Sequence, residues 1–277
     1  MKDLEIWTWV QTGVLIVFTW MILPANCPLW CTVVFTLCPM YVTRILTIAN
    51  RQDARRAAAL DHPALAPVLA LIEADEVLAV AQARPPGEDL GRSLPSPDLP
   101  HTDAELHNVM ALLIDGVGAI HEHGLVHGAI SPESLLITPR HRHPVLLGLP
   151  VSEPPADPAA GEGDDDPEAR LAAARRNDIQ ALAAIGWRLV ALTAPEALAA
   201  AGAAPEALKL WPPLASPLGW PLSARDLGRG RFGDDLLSLI DRGLGLDGGA
   251  VPDTVAAWVT PPAPGASAPP SDPEPEP

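Results

Sequence analysis

Three observations in the sequence predict an α+β fold set behind a membrane-spanning front. Ile6–Thr43 runs for 38 residues without a formal charge. Two short apolar runs, Val68–Ile72 and Val77–Ala83, flank the polar turn Glu73–Glu76, which is the pattern of paired strands. Farther on, Ala104–His121 repeats apolar residues at helical spacing through Leu106, Val109, Met110, Leu113, Val117 and Ile120, so one face is built to meet a core.

The chain has 277 residues, enough for one domain with a substantial core and an extra segment. Its composition breaks near residue 50. The first 50 residues hold four of the eight Trp, all three Cys and two of the three Phe, whereas the remainder is rich in Ala, Leu, Pro and Gly. Lys2, Asp3, Glu5 and Arg44 cancel, so the net charge of −16 arises wholly after residue 50. That acidity disfavours nucleic acid or anionic lipid as a general partner. Cys27, Cys31 and Cys38 form an odd set inside an apolar segment and read as buried thiols, not as a disulfide framework.

Taken in order, the front supplies two candidate spans, Ile6–Leu23 and Leu29–Ile48, joined by the turn Pro24-Ala25-Asn26-Cys27-Pro28. About 20 apolar residues cross a bilayer as a helix. Trp7, Trp9, Trp20, Trp30 and Tyr41 carry rings that favour the membrane interface, and Arg44 can snorkel to it. Arg51, Arg55 and Arg56 follow and place the later chain on the cytoplasmic side. Pro39 kinks the second stretch, so a two-span hairpin and a single span with an interfacial second stretch both stand. Asp3 and Glu5 argue against a cleaved secretory signal. Residues 6–48 are expected to contact integral membrane proteins, with Gln11, Gly13 and the Thr and Cys side chains available for helix packing. No His occurs in the spans, which excludes a histidine-ligated haem or chlorophyll there.

Behind the front come the apolar runs already named and the connection Pro85-Pro86-Gly87-Glu88-Asp89-Leu90. The stretch Leu125–Ile137 then reads L-V-H-G-A-I-S-P-E-S-L-L-I. It resembles the catalytic loop of protein kinases, of the bacterial Ser/Thr type, in which His-Arg-Asp is followed by a Lys and an Asn. His127, Ile130, Pro132, Glu133 and Leu135-Leu136-Ile137 match that framework, as does the approach through Ala119–Val126. The reactive positions differ. Gly128 stands for the Arg, Ala129 for the catalytic Asp, Ser131 for the Lys and Ser134 for the metal-binding Asn. Gly148, in Gly148-Leu149-Pro150, falls where the family has the Asp that binds magnesium. Gly13 is the only Gly in the first 50 residues, and no Lys lies between Lys2 and Lys209, so neither the glycine-rich loop nor the strand lysine has a candidate.

The resemblance covers roughly residues 53–259 and implies a two-lobe kinase-like domain. Residues 1–50 would be the transmembrane segment, 51–94 a small lobe truncated at its front, 95–260 a helical large lobe and 261–277 a disordered Pro-rich acidic tail. Asp53–Ala66, with His62-Pro63, resembles the end of the small lobe's helix. Val151–Glu168 would be the activation segment, acidic and without a basic residue, its Pro167-Glu168 echoing the family's Ala-Pro-Glu. Asn177–Ala194 would be the central large-lobe helix, with Asp178 bracing the loop and His127 packed beneath it, both structural. Pro195 should end that helix, Glu196–Pro217 has no assignment, and Phe232–Leu246 and Val251–Val259 would close the domain. His121, His123 and His127 lack further ligands at metal-site spacing, and Ser131 and Ser134 lack a nucleophile turn and a base. No catalytic residue, metal or cofactor is therefore expected. The functional expectation is a membrane-anchored pseudokinase, a scaffold, assembly factor or accessory subunit of a membrane protein complex, with a cytoplasmic protein as a further candidate partner of the kinase-like domain. The alternative is an atypical nucleotide-binding regulator or residual phosphotransferase.

Overall fold

In the computed structural model, residues 46–48, 51–74, 77–90, 102–138, 143–152, 166–200 and 222–261 are described. Two short aliphatic runs pair antiparallel, β2 (Val68–Ala74) against β3 (Val77–Gln82). A third strand, β1 (Leu46–Ile48), pairs antiparallel on the far side of β3, giving the order β1-β3-β2. These three residues differ from the hydropathy reading, which puts them at the end of a second membrane span. Their backbone pairs with β3 from Leu46 opposite Val80 to Ile48 opposite Leu78, and a residue in a ladder is not in a helix. The remainder of the expected spans, with Trp7, Trp9, Trp20, Trp30, Tyr41 and Arg44, lies outside the described residues. Among the described residues no helix is long and apolar enough to cross a membrane.

Helix α1 (Arg51–Ala58) buries Ala54 and Ala57 in a small core with Val80. That core is shared across the lobes, since Ile120, Leu125 and Leu149 complete it. The expected connection at Pro85–Leu90 is tied down as well. Within it β4 (Glu88–Asp89) pairs with β5 (Leu135–Ile137), which pairs with β6 (Pro144–Leu146). Gly87 permits the approach, because a Cβ there would lie 2.8 Å from the Ile137 carbonyl oxygen.

Helix α2 (Asp103–Glu122) opens with a capping box, in which the Thr102 side chain and Glu105 each accept from the other's backbone N–H. Its apolar stripe is buried from Leu106 to Ile120. Packed against it is α3 (Pro167–Leu192), which starts at Pro167 and not at Asn177 as the hydrophobic pattern suggests. Asp166 caps it by accepting from the Glu168 N–H, Pro167 suits the first turn, and the Ala- and Arg-rich residues that follow are strong helix formers. Pro167-Glu168 thus opens a helix. Pro195 likewise opens one, α4 (Pro195–Ala200), within the unassigned region. Helices α5 (Ala224–Gly228), α6 (Asp234–Gly243) and α7 (Val255–Val259) close the large lobe around Leu237, Ile240 and Trp258. The buried Asp241 carboxylate accepts from the Ala224 and Arg225 N–H groups at 2.6 and 3.2 Å and so fixes α5 on α6.

Candidate functional site

The loop after α2 turns at Gly124, which has a φ of 71° and therefore a left-handed backbone, and then buries Leu125 and Val126. Val126 exchanges both backbone hydrogen bonds with Val151 at 2.8 Å. His127 follows, 4% exposed. From α3, Asp178, 2% exposed, reaches into the loop. Its Oδ2 accepts from the His127 N–H at 2.7 Å and lies 3.1 Å from His121 Nε2, while Oδ1 accepts from the Gly128 N–H at 2.9 Å. A buried carboxylate is costly unless donors surround it, and here three converge on one side chain.

The His127 ring completes the support. Its Nδ1 accepts from the Ala129 N–H at 3.3 Å, so Nε2 carries the proton and donates to the Leu147 carbonyl at 3.1 Å. Burial pushes the His127 pKa down, against the pull of Asp178 and of the Leu147 bond. The imidazole is neutral and both nitrogens are engaged.

Above this support, Gly128 and Ala129 are exposed. Gly128 has a φ of 70°, a conformation that suits glycine. Ala129 ends in a methyl group, which neither takes up a proton nor binds a metal. Ser131 and Ser134 cap each other across the short helical turn Pro132–Ser134. The Ser134 N–H donates to Ser131 Oγ at 3.3 Å, the Ser131 N–H to Ser134 Oγ at 2.9 Å, and Ser134 Oγ to the Ser131 carbonyl at 2.9 Å. Gly148, with a φ of 122°, lies against the His127 ring, and a Cβ there would sit 3.0 Å from two of its atoms. These residues do not fit the magnesium ion that a kinase loop holds. Where the ion would need a carboxylate there is a glycine with no room for a side chain, and where it would need an amide there is a serine turned into its own backbone. Among the described residues no group of three or more His, Cys, Asp or Glu is placed to hold a metal.

The three histidines near the loop diverge. His121 meets Asp178, His127 lies under the loop, and His123, exposed, is 2.8 Å from the Ala119 carbonyl. His143 lies 3.0 Å from the Pro63 carbonyl.

Several supporting residues escape sequence reasoning. Gln82, buried at the end of β3, donates to the Gly148 carbonyl at 3.0 Å and so joins the small lobe to the segment after β6. Asp53 of α1, 3% exposed, accepts from the Ser152 N–H at 2.9 Å and from its hydroxyl. Neither has a motif, and partners 66 and 99 residues away leave no local signal. Arg188 was visible as a lone charge in the apolar part of α3. It is 3% exposed, its Nε has no hydrogen-bond partner among the described residues, and burial lowers its pKa against the attraction of Glu133.

No protein-family model matches the chain, and no curated protein matches it by sequence. Solved structures do match. One, described as PpkA-294 in its apo form, shares 19% identity at a TM-score of 0.48, over 76% of this chain and 73% of that one. Another, the Neurospora crassa PAN3 pseudokinase, shares 12% identity at a TM-score of 0.52, over 78% of this chain and 51% of that one. The chain thus has a protein kinase-like α+β fold with few strands. It spans about half the length of the PAN3 chain.

Proposed function

We propose that this chain is a pseudokinase, a kinase-like domain that serves as a non-catalytic binding surface in a membrane protein complex and is tethered through the apolar segment before Leu46. One observation carries the reading. Asp178 and His127 hold the loop through backbone N–H and C=O groups, while Ala129 is the residue that the sequence resemblance sets against the catalytic Asp that takes the substrate's proton in a kinase. Phosphoryl transfer depends on positioning and charge stabilisation by lysine, carboxylates and magnesium. Ser131, Ser134 and Gly148 supply none of these at the corresponding positions. The name of PAN3, a pseudokinase of similar fold, is consistent with this.

The test is thermal unfolding of the full chain with and without magnesium and ATP. A ligand at a hundred times its Kd stabilises by about 2.7 kcal/mol, which raises Tm by about 5–10 °C in a domain of this size. The expected result is no shift at millimolar nucleotide. A shift of that size, or phosphate transfer lost in Glu133→Gln or Asp178→Asn, would favour the nucleotide-binding alternative. The tether is checked by deleting residues 1–43, which spares β1. The shortened chain is expected to leave the membrane fraction, and its retention there overturns the tether.

A further inference from the structure

Among the described residues nine polar or charged side chains are buried. Eight of them are tied by hydrogen bonds or an ion pair, as Asp178 and Asp241 are, and Arg188 of α3 is the exception. It stands between Trp187 and Leu189 on the apolar part of the helix, 3% exposed. Its Nε is sealed without a partner among the described residues. Nη1 and Nη2 make no hydrogen bond to a described residue either, but they are not sealed, and so form the accessible edge of the group. Among the described residues the charge whose attraction reaches it is Glu133, an exposed carboxylate in the turn Pro132–Ser134 that forms no ion pair with it. Arg188 thus lies beside the loop, and a ligand held by it is held there.

A guanidinium presents its N–H donors as a planar fork and keeps its proton, so it does not escape the cost of burial by becoming neutral. Buried and unbonded, it is an expensive group to keep. Glu133 offsets that cost only in part, since water screens an exposed carboxylate. What the place lacks is an acceptor. A carboxylate offers two oxygens at the spacing of the Nη pair, so that both are met by parallel N–H···O bonds. Its single negative charge also matches the single positive one, whereas a phosphate dianion would set a second charge beside Glu133. We propose that Arg188 is a carboxylate-binding site beside the loop, in which Nη1 and Nη2 together hold a carboxylate that enters from solvent. The site stands whether or not the loop binds nucleotide, so it is independent of the pseudokinase reading.

The test titrates the full chain with sodium acetate, and in parallel with sodium chloride, at constant ionic strength. The readout is the Arg188 Nε–H resonance in proton–nitrogen NMR, identified by its absence in Arg188→Lys. The expected result is a shift that saturates with acetate and does not do so with chloride. In Glu133→Gln, which removes the repelling charge, saturation should come at a several-fold lower acetate concentration. Thermal unfolding supplies a second reading: acetate should raise the Tm of the parent above its value in chloride, and Arg188→Met, an apolar side chain of similar length, should abolish that difference. The same response to acetate and chloride, an acetate effect that survives in Arg188→Met, an unchanged acetate midpoint in Glu133→Gln, or saturation by inorganic phosphate at lower concentration than by acetate would each overturn the proposal.

Discussion

Asp178 carries more of the loop's geometry than any other side chain near it, because it alone reaches from α3 to both His127 and Gly128. Asp178→Ala would strand those two N–H groups and the His121 ring. Each buried donor left without a partner costs about 1–3 kcal/mol, and removing a buried charged partner costs about 3–5 kcal/mol in all. The variant should therefore lose about 3–5 kcal/mol of stability, read as a lower urea midpoint at unchanged m-value. Asp178→Asn should fall between, since its amide keeps one acceptor and turns an N–H towards a donor. His127 adds a pH dependence whose sign follows from its lowered pKa. The unfolded residue titrates near 6.5 and the folded one lower, so below pH 6.5 the unfolded chain binds a proton that the folded chain does not. Stability should be full above that pH, fall as the pH drops through the window beneath it, and level off below the folded value. His127→Gln should flatten this part of the curve relative to the parent. At this scale the sequence was informative wherever a residue belonged to the loop motif. It was silent for His121, whose partner is 57 residues away and whose identity alone does not distinguish a carboxylate's neighbour from a metal ligand.

Among the elements, those with a long apolar period were legible and those defined by their ends were not. The stripe of α2 and the buried run Ile179–Val190 of α3 show on inspection, because a core imposes their spacing. The first turns of α3 do not, since Asp166, Pro167 and Glu168 are a start signal embedded in an acidic stretch that reads equally well as loop. Helices α4, α5 and α7 have six, five and five residues, too few to display a period. What holds α5 and α7 is close contact with α6, whereas α4 packs on α3. A Cβ on Gly243 would lie 2.6 Å from the Ala183 Cβ and 2.8 Å from Trp258 Nε1. The Trp258 ring cannot give way freely, because that nitrogen donates to the Leu239 carbonyl at 2.7 Å. Gly243→Ala should therefore destabilise by about 1–3 kcal/mol through overpacking. Ala183→Gly in the same chain should recover part of the loss, a coupling that a double-mutant cycle in urea would measure.

For the molecule as a whole, the order of motifs along the chain was enough to read a kinase-like α+β fold, whereas the means by which its sheet and its helical part are joined was not. The joints are non-local: Gln82 to Gly148, Asp53 to Ser152, and a core in which Ala54, Ala57 and Val80 of the small lobe meet Ile120, Leu125 and Leu149 of the large one. The small lobe has a three-stranded sheet and one described helix of eight residues, little apolar area to bury by itself. Its stability has to be borrowed from the large lobe through the shared core. Unfolding should then be a single transition, with coincident far-ultraviolet circular dichroism and tryptophan fluorescence curves. Asp53→Ala removes the carboxylate that accepts from Ser152 but leaves the shared core in place, so it should cost about 1–3 kcal/mol of stability and lower the midpoint of both curves together. If the two curves separate in that variant, with the large lobe persisting after the small one has melted, the joint rests on Asp53 and not on the apolar contacts between the lobes.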